Sequence, residues 1–491
     1  MPHCEIIISD EVNCKITNLT LDAKKKLVNT FKYDIPGARY MPAVRLGRWD
    51  GKASFFSLGG DTYINLLPEI IPILEAYNFQ IELVDNRSYQ NHFSFAPVET
   101  DEHSATNWPA GHILEGKPIL LDTHQLEVIN AFLENPQSMT QAATGAGKTV
   151  ITATLSKRVE EFGRSLVIVP NKSLITQTEA DYKLLGLDVG VYYGDRKEIG
   201  RTHTISTWQS LSTLLRMQKK GQETQADLSD FLDDLVCVIV DECHGVKGDD
   251  LKTLLSGPFA KVPIRWGLTG TIPREKFAAV ALQVCIGEVV STVAASDLQD
   301  KGFLANCHVH IKQLIDHSEF KNYQQELSYL VTNPDRIEHI ARILKDISDS
   351  GNTLVLVDRI ATGQMLQAGL DDLGITSVFV SGSTKESARK TEYKEVATSD
   401  DKIIIATYGV AAVGLNVPRI FNLVMLEPGK SFVRVIQSIG RGLRRAHDKD
   451  SVDIWDITSN CKFSKRHLVT RKQFYNEQKY PFSVEKLDWK K

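Results

Sequence analysis

Eight short apolar runs, rich in β-branched residues and separated by helical stretches, constrain this chain more than any other feature. Four lie between residues 165 and 271 ("SLVIVP", "HTIST", "VCVIVDE", "RWGLTGT") and four between 353 and 427 ("TLVLVD", "TSVFVSG", "DKIIIAT", "FNLVMLE"). A strand with one solvated face alternates polar and apolar residues. These runs are nearly continuous, the pattern of parallel strands buried on both faces. Parallel neighbours need long crossovers, so the intervening helices must cover the sheets. The spacing predicts two successive α/β units of about 150 to 180 residues each, with "DLQDKGFLANCHV" (297–309) crossing between them. At roughly 150 residues per domain, 491 residues leave room for a third.

That third unit comes first. Residues 4–9, 52–58, 61–67 and 79–85 read as strands and 20–31 and 68–77 as helices, a small α+β arrangement. Inside it lies "RYMPAVRLGRWDGKASFF" (39–56). Asp50-Gly51 between two strand-like runs favours a two-residue hairpin, because both central positions need positive φ. Pairing outward sets Trp49 opposite Lys52, Leu46 opposite Phe55 and Arg45 opposite Phe56. Val44, Leu46, Ala53 and Phe55 then form a packing face; Arg45, Trp49, Lys52 and Phe56 form a cationic, aromatic one suited to an anionic partner. From Asn86 to Gly116 the hydrophobic pattern lapses into a connector. The expected division is an α+β domain at 1–95, a linker at 96–118, two lobes at 119–300 and 301–457, and an extension at 458–491.

Composition narrows the class. With 42% hydrophobic and 24% charged residues the chain is an ordinary soluble globular one. No apolar run approaches the roughly 20 residues of a membrane helix, and the first residues lack the pattern of a secretory leader. Seven scattered cysteines fit a reducing cytosol, so a cytoplasmic protein is expected. "CHVH" (307–310) alternates like a strand and has no second ligand pair of the zinc-site kind. Net charge is −4, but Ser459 to Lys491 carries nine Lys/Arg against three Asp/Glu. That tail reads either as a solvated, frayed end or as a phosphate-contacting extension.

The chemistry-bearing residues begin with "QAATGAGKT" (141–149), a phosphate-binding loop. Ala142, Thr144, Gly145, Ala146 and Gly147 supply backbone N–H groups that can close around phosphates, Lys148 meets the β/γ-phosphates, and Thr149 offers a hydroxyl to Mg²⁺. Ala142 stands where the general pattern has its first glycine. "VCVIVDECHG" (236–245) then ends a buried strand on two acids, Asp241 and Glu242, of which one can hold the magnesium shell and the other can polarise the attacking water.

"DECH" (241–244) resembles motif II of the DExH branch of superfamily-2 helicases and translocases, and the family's other motifs follow in order. Gln125 in "DTHQ" resembles the adenine-reading glutamine, with Asp122 and His124 where arginine and an aromatic are common. "PNKSLITQ" (170–177) resembles motif Ia and "STWQSL" (206–211) motif Ic. The resemblance assigns Pro170, Asn171, Gln177, Thr207 and Gln209 to the nucleic acid. "LTGT" (268–271) is similar to motif III, giving Thr269 and Thr271 a coupling role. "ATYGVAAVGLNVP" (406–418) is similar to motif V, in which Thr407 and Gly409 face the polynucleotide and Gly414 and Asn416 couple. "QSIGRGLRR" (437–445) is similar to motif VI, implying catalytic roles for Gln437, Arg441 and Arg444; the arginines, three apart, share a helix face.

The resemblance covers roughly 119–457 and implies two RecA-like lobes with ATP and Mg²⁺ held between them, closing on hydrolysis and opening on product release. "PNKSL", "TGT" and "QSIGR" look like the DNA-directed members, and residues 31–85 resemble the N-terminal domain of UvsW-type phage helicases. That reading expects Arg45 and Lys52 on DNA phosphates and Trp49 stacked on a base. The implied activity is ATP-dependent unwinding or branch migration at forks, Holliday junctions and R-loops, usually 3′ to 5′, in phage replication, recombination and repair. The rivals are an RNA helicase and a non-catalytic scaffold with an idle motor.

Overall fold

A computed structural model of the chain describes residues 2–88, 93–110, 114–224, 226–247, 249–382, 384, 399, 401–410, 419–429 and 451–490. Contacts divide it into two units: residues 1–107, 118–142 and 147–292, and residues 108–117, 143–146 and 293–491.

The first unit opens with a four-stranded sheet in the order β5-β2-β1-β6, from β1 (His3–Ile8), β2 (Asn13–Thr17), β5 (Asp61–Tyr63) and β6 (Gln80–Asp85). Helices Leu21–Thr30 and Leu67–Ala76 bury Leu27, Ile70 and Leu74 against its inward residues Cys4, Ile6 and Ile16.

The expected hairpin at 44–56 does not form. β4 (Lys52–Ser54) instead pairs antiparallel with β3 (Lys32–Asp34), Tyr33 opposite Ala53. The intervening chain closes into a loop whose neck is the Ile35 N–H donating to the Gly51 carbonyl at 2.9 Å. Two local features override the strand pattern. Pro42 has no N–H for a ladder and starts the helical turn Pro42–Arg45. Gly47 at φ +67° then reverses the chain. Phe55 and Phe56 are both buried, so the expected alternation of faces fails there.

This domain is docked onto the next. Phe55 lies 5.3 Å from Phe277, the Lys252 ammonium sits 4.5 Å above the Phe55 ring, and Asn65 and Gln283 exchange side-chain-to-backbone hydrogen bonds. The connector also packs: Phe95 sits edge-on to Phe162, and His103 bonds the Thr154 hydroxyl at 2.8 Å. Its few apolar residues anchor it, although their spacing carries no period.

The apolar runs form the expected sheet: β7 (Gln137–Ala142), β8 (Arg164–Val169), β9 (Val189–Tyr193), β10 (Arg196–Lys197), β11 (His203–Thr207), β12 (Leu235–Asp241), β13 (Ile264–Thr269) and β14 (Glu288–Val293). Their order is β10-β9-β11-β8-β12-β13-β7-β14, parallel from β9 through β7.

The second unit is a seven-stranded sheet ordered β17-β18-β16-β19-β20-β15-β21, parallel throughout. Its strands are β15 (Asn306–Leu314), β16 (Thr353–Val357), β17 (Ser377–Val380), β18 (Ile403–Thr407), β19 (Asn422–Leu426), β20 (Ser451–Ser459) and β21 (Phe482–Leu487). The basic tail is not a frayed end. It forms helix Lys462–Glu477, which buries Leu468, Phe474 and Tyr475, and then adds β21 beside β15. Arg471 is neutralised by Asp456 (2.8 and 2.9 Å), which also accepts from the Tyr475 hydroxyl.

A second buried ionic cluster sits where β19 ends. Arg336, fully buried, donates to Glu427 at 2.8 Å, to Asp316 at 3.3 Å and to the Leu330 carbonyl at 2.6 Å. Glu427 holds a left-handed backbone at φ +42° and also accepts from Ser464. Buried Glu326 accepts from the Phe463 and Ser464 N–H groups at the N-terminus of the last helix, where a negative charge is favoured.

Candidate functional site

The order of the strands in the first unit arranges the motif loops. Parallel strands deliver their following loops to one edge, where open α/β sheets bind ligands. Along that edge the succession is β11, β8, β12, β13, β7. The loops therefore run Thr207–Gln209, Pro170–Gln177, Asp241–His244, Thr269–Thr271 and the phosphate-binding loop. Five segments spread over about 130 residues of sequence become neighbours at about 4.8 Å per strand.

After β7, the loop turns on Gly145 (φ +95°) and Gly147 (φ +75°), and Gly147 caps helix Lys148–Val159. The free N–H groups of that first turn make an anion-binding end. A Cβ on Gly147 would fall 2.2 Å from Gln125 Nε2, so Gln125 is held against the loop. Its Oε1 accepts from the Asp122 N–H at 2.9 Å, and Asp122 caps helix Thr123–Glu134, to which Gln125 belongs. Asp122 is thus a capping residue, which accounts for its departure from the family pattern. Gly147→Ala is expected to weaken ATP binding at least tenfold, since the added methyl meets Gln125 and a left-handed φ is costly for alanine; titration with a fluorescent ATP analogue reads it.

Lys148 Nζ lies 2.9 Å from Glu242 Oε1, and both side chains are largely buried. Glu242 Oε2 faces His244 Nδ1 at 3.2 Å, and His244 in turn bonds the Thr269 hydroxyl at 2.9 Å. Thr269 reaches the Thr271 carbonyl at 3.1 Å. Glu242 is set in this chain by a left-handed backbone at φ +51°, a strained conformation of the kind found at functional positions.

Burial raises the Asp241 carboxyl to about 6, opposed by the nearby Lys148 ammonium. Burial acts the same way on Glu242, but Lys148 and His244 outweigh it and hold that carboxyl below its ordinary value. Burial alone would lower Lys148; Glu242 and Asp241 reverse this and raise it. The cluster is therefore a charged triad in which one ammonium serves two acids. The Asp241 carboxyl and the Thr149 hydroxyl, which follows Lys148 in the chain, are oxygen donors of the kind hard divalent cations prefer.

On the other side of β12, Asn171 caps helix Lys172–Leu184 through the Leu174 N–H, and Thr207 caps helix Trp208–Lys219 through the Ser210 N–H. The Gln209 amide donates to the Pro170 carbonyl at 3.1 Å, tying the two motifs together. Gln177 and Gln209 are exposed. In the second unit Thr407 ends β18 and Gly409 follows it, exposed. Gly414, Asn416, Gln437, Arg441 and Arg444 lie outside the described residues. Lys52 is not a free cation: it pairs with Asp34 at 3.5 Å, and the Trp49 indole N–H donates to its carbonyl at 2.9 Å. Sequence reasoning passed over His244 as a bridge; its place two residues after Glu242 was the available signal.

Two families match. Type III restriction enzyme, res subunit, covers residues 119–274, and the helicase conserved C-terminal domain covers 335–446. Together with the paired parallel sheets they define an ATP-driven helicase, and the chain belongs to superfamily 2 of these enzymes. Within it the likeness is to the UvsW type: the ATP-dependent DNA helicase uvsW of Enterobacteria phage T4 is 24% identical over 473 residues, 91% of this chain and 89% of that one. A fragment of a putative HsdR subunit of a type I restriction enzyme from Vibrio vulnificus shares the fold, with a TM-score of 0.57 and 18% identity over 74% of this chain and 68% of that one. So does the ATP-dependent Type ISP restriction-modification enzyme LlaBIII bound to DNA, with a TM-score of 0.55 and 15% identity over 86% of this chain and 36% of that one. No described helix is long and apolar enough to cross a membrane.

Proposed function

We propose that the chain couples ATP hydrolysis to unwinding or branch migration of forked and branched DNA, moving 3′ to 5′. The observation carrying this reading is the succession of five motif loops along one sheet edge, with the Lys148–Glu242 pair set beside loops joined by the Gln209–Pro170 bond. Lys148 and the loop N–H groups take the β/γ-phosphates, and Gln125 takes the adenine. Thr149 and Asp241 would hold Mg²⁺, which when bound neutralises phosphate charge.

Glu242 is the general base for the attacking water. Its partner matters: Lys148 now holds Glu242 in its ionised form, and a triphosphate draws that ammonium away. Losing a cation raises a carboxyl's proton affinity, so Glu242 becomes a better base when the substrate arrives. His244 and Thr269 stay on its second oxygen and carry the change towards Thr271. Pro170, Asn171, Gln177, Thr207, Gln209, Thr407 and Gly409 contact the tracked strand. Gln437, Arg441 and Arg444 complete hydrolysis, with Gly414 and Asn416 coupling.

DNA is favoured by the name of the T4 relative and by the motif variants "PNKSL", "TGT" and "QSIGR". The deciding measurement is ATPase and strand-separation activity on single-stranded, forked, four-way, R-loop and plain duplex DNA, with RNA in parallel. Stimulation of at least tenfold by DNA and processing of branched forms is expected. Stimulation by RNA alone would assign an RNA helicase, and no turnover with any polymer would leave a scaffold.

A further inference from the structure

The loop that replaced the expected hairpin, residues 35–51, is built to stand on its own. Its neck is the Ile35–Gly51 hydrogen bond, continued below by β3 and β4. Two ion pairs clamp that base, Lys32–Asp50 at 2.6 Å and Lys52–Asp34 at 3.5 Å. Inside, Ala38 and Val44 crowd Gly51 so closely that a Cβ there would fall 3.1 Å from the Ala38 methyl. Successive turns are pinned by backbone bonds such as Arg48 N–H to Ala43 C=O at 2.8 Å. A compact, self-packed loop of this kind is a rigid platform.

What it presents outward is unusual for a protein surface. Tyr40, Met41 and Leu46 are 69%, 44% and 64% exposed within seven residues of one another. Around them are Arg39, Arg45 and Arg48, and no acid occurs between Pro36 and Trp49 in a chain of net charge −4. Arg39 lies 4.8 Å over the Tyr40 ring and donates to its hydroxyl at 2.7 Å, holding the ring outward. Arg45 and Arg48 make no ion pair among the described residues. Large apolar side chains ringed by unneutralised guanidinium groups complement a surface that is itself apolar in its middle and anionic at its rim. The end of a DNA duplex at a branch is such a surface: an exposed base-pair face between two phosphate strands. Proteins that unstack bases use Met, Leu and aromatic side chains as wedges with arginines on the flanking phosphates.

We infer that this loop is a strand-separating wedge, with Tyr40, Met41 and Leu46 seated on the terminal base pair at a branch point and Arg39, Arg45 and Arg48 on the adjoining phosphates. The inference rests on the DNA reading above. It also moves the contact surface expected from the sequence: Arg45 keeps its place, while Trp49 and Lys52 become the base of the loop.

The experiment uses the full chain, a Tyr40→Ala/Leu46→Ala variant and an Arg45→Ala/Arg48→Ala variant, on a fork carrying 2-aminopurine at its terminal pair. Because the side chains are exposed, both variants should melt like the parent. The apolar variant is expected to lose about tenfold or more in fork unwinding and in 2-aminopurine brightening, with single-strand-stimulated ATPase within about twofold of the parent. The arginine variant should flatten the salt dependence of fork binding by a slope of about two. Normal fork opening by the apolar variant overturns the wedge. So does an equal fall in ATPase. If DNA fails to stimulate the parent's ATPase, the DNA reading fails first, and that result is separable because it precedes any variant.

Discussion

Glu242→Gln is expected to bind ATP normally and hydrolyse it about 10²- to 10⁴-fold more slowly, the range general-base removal produces. Glutamine keeps the shape of the side chain, so the left-handed turn after β12 and the contact to His244 can persist. What it loses is the proton acceptor. It also leaves the Lys148 ammonium with only Asp241 among the acids that raise its pKa, so the triphosphate gains a less committed partner and ATP affinity should hold or tighten. Equilibrium binding of a fluorescent ATP analogue beside steady-state phosphate release separates the two effects. Turnover within a few-fold of the parent would remove Glu242 as the base.

Arg336→Ala is expected to destabilise the second unit by about 3–5 kcal/mol, the usual cost of breaking one side of a buried ion pair. Asp316 and Glu427 are both buried, and the guanidinium is the cation they share. Burial already raises the Glu427 carboxyl, with Arg336 the first group opposing it. Without that cation the folded-state pKa rises further above the unfolded value. The folded variant then binds a proton that the unfolded chain has released, so stability falls as pH rises above about 4.3. The deficit relative to the parent should therefore be smallest in acid and grow towards neutral pH. Urea denaturation at several pH values tests it; a deficit under 1 kcal/mol at pH 7 would mean the cluster is hydrated and weak.

Much of the fold was legible because parallel buried strands leave a strong local trace. All eight apolar runs became strands within a residue or two of their expected limits. The strands that escaped notice, β2, β3, β7, β9, β10, β14, β20 and β21, are short, rich in polar residues, or at or next to a sheet edge, where nothing forces a long continuous apolar run. The hairpin failed for the opposite reason: a strong dipeptide signal at Asp50-Gly51 was outweighed by Pro42 and Gly47, and its second strand found a better partner in β3. The tail looked like free charge because composition counts Arg471 as a cation without knowing that Asp456 lies beneath it.

By itself the sequence determined the class of machine: the phosphate loop, the two acids at a strand end and the order of the motifs are local patterns whose chemistry needs only neighbouring residues. The tertiary structure decided what those patterns touch. That Lys148 is held by Glu242, that Gln125 fills the space a Gly147 side chain would need, and that Tyr40 and Leu46 stand in solvent while Phe55 and Phe56 do not, all depend on strand order and packing. Those are set by the whole buried surface at once, and no short stretch of chain encodes them.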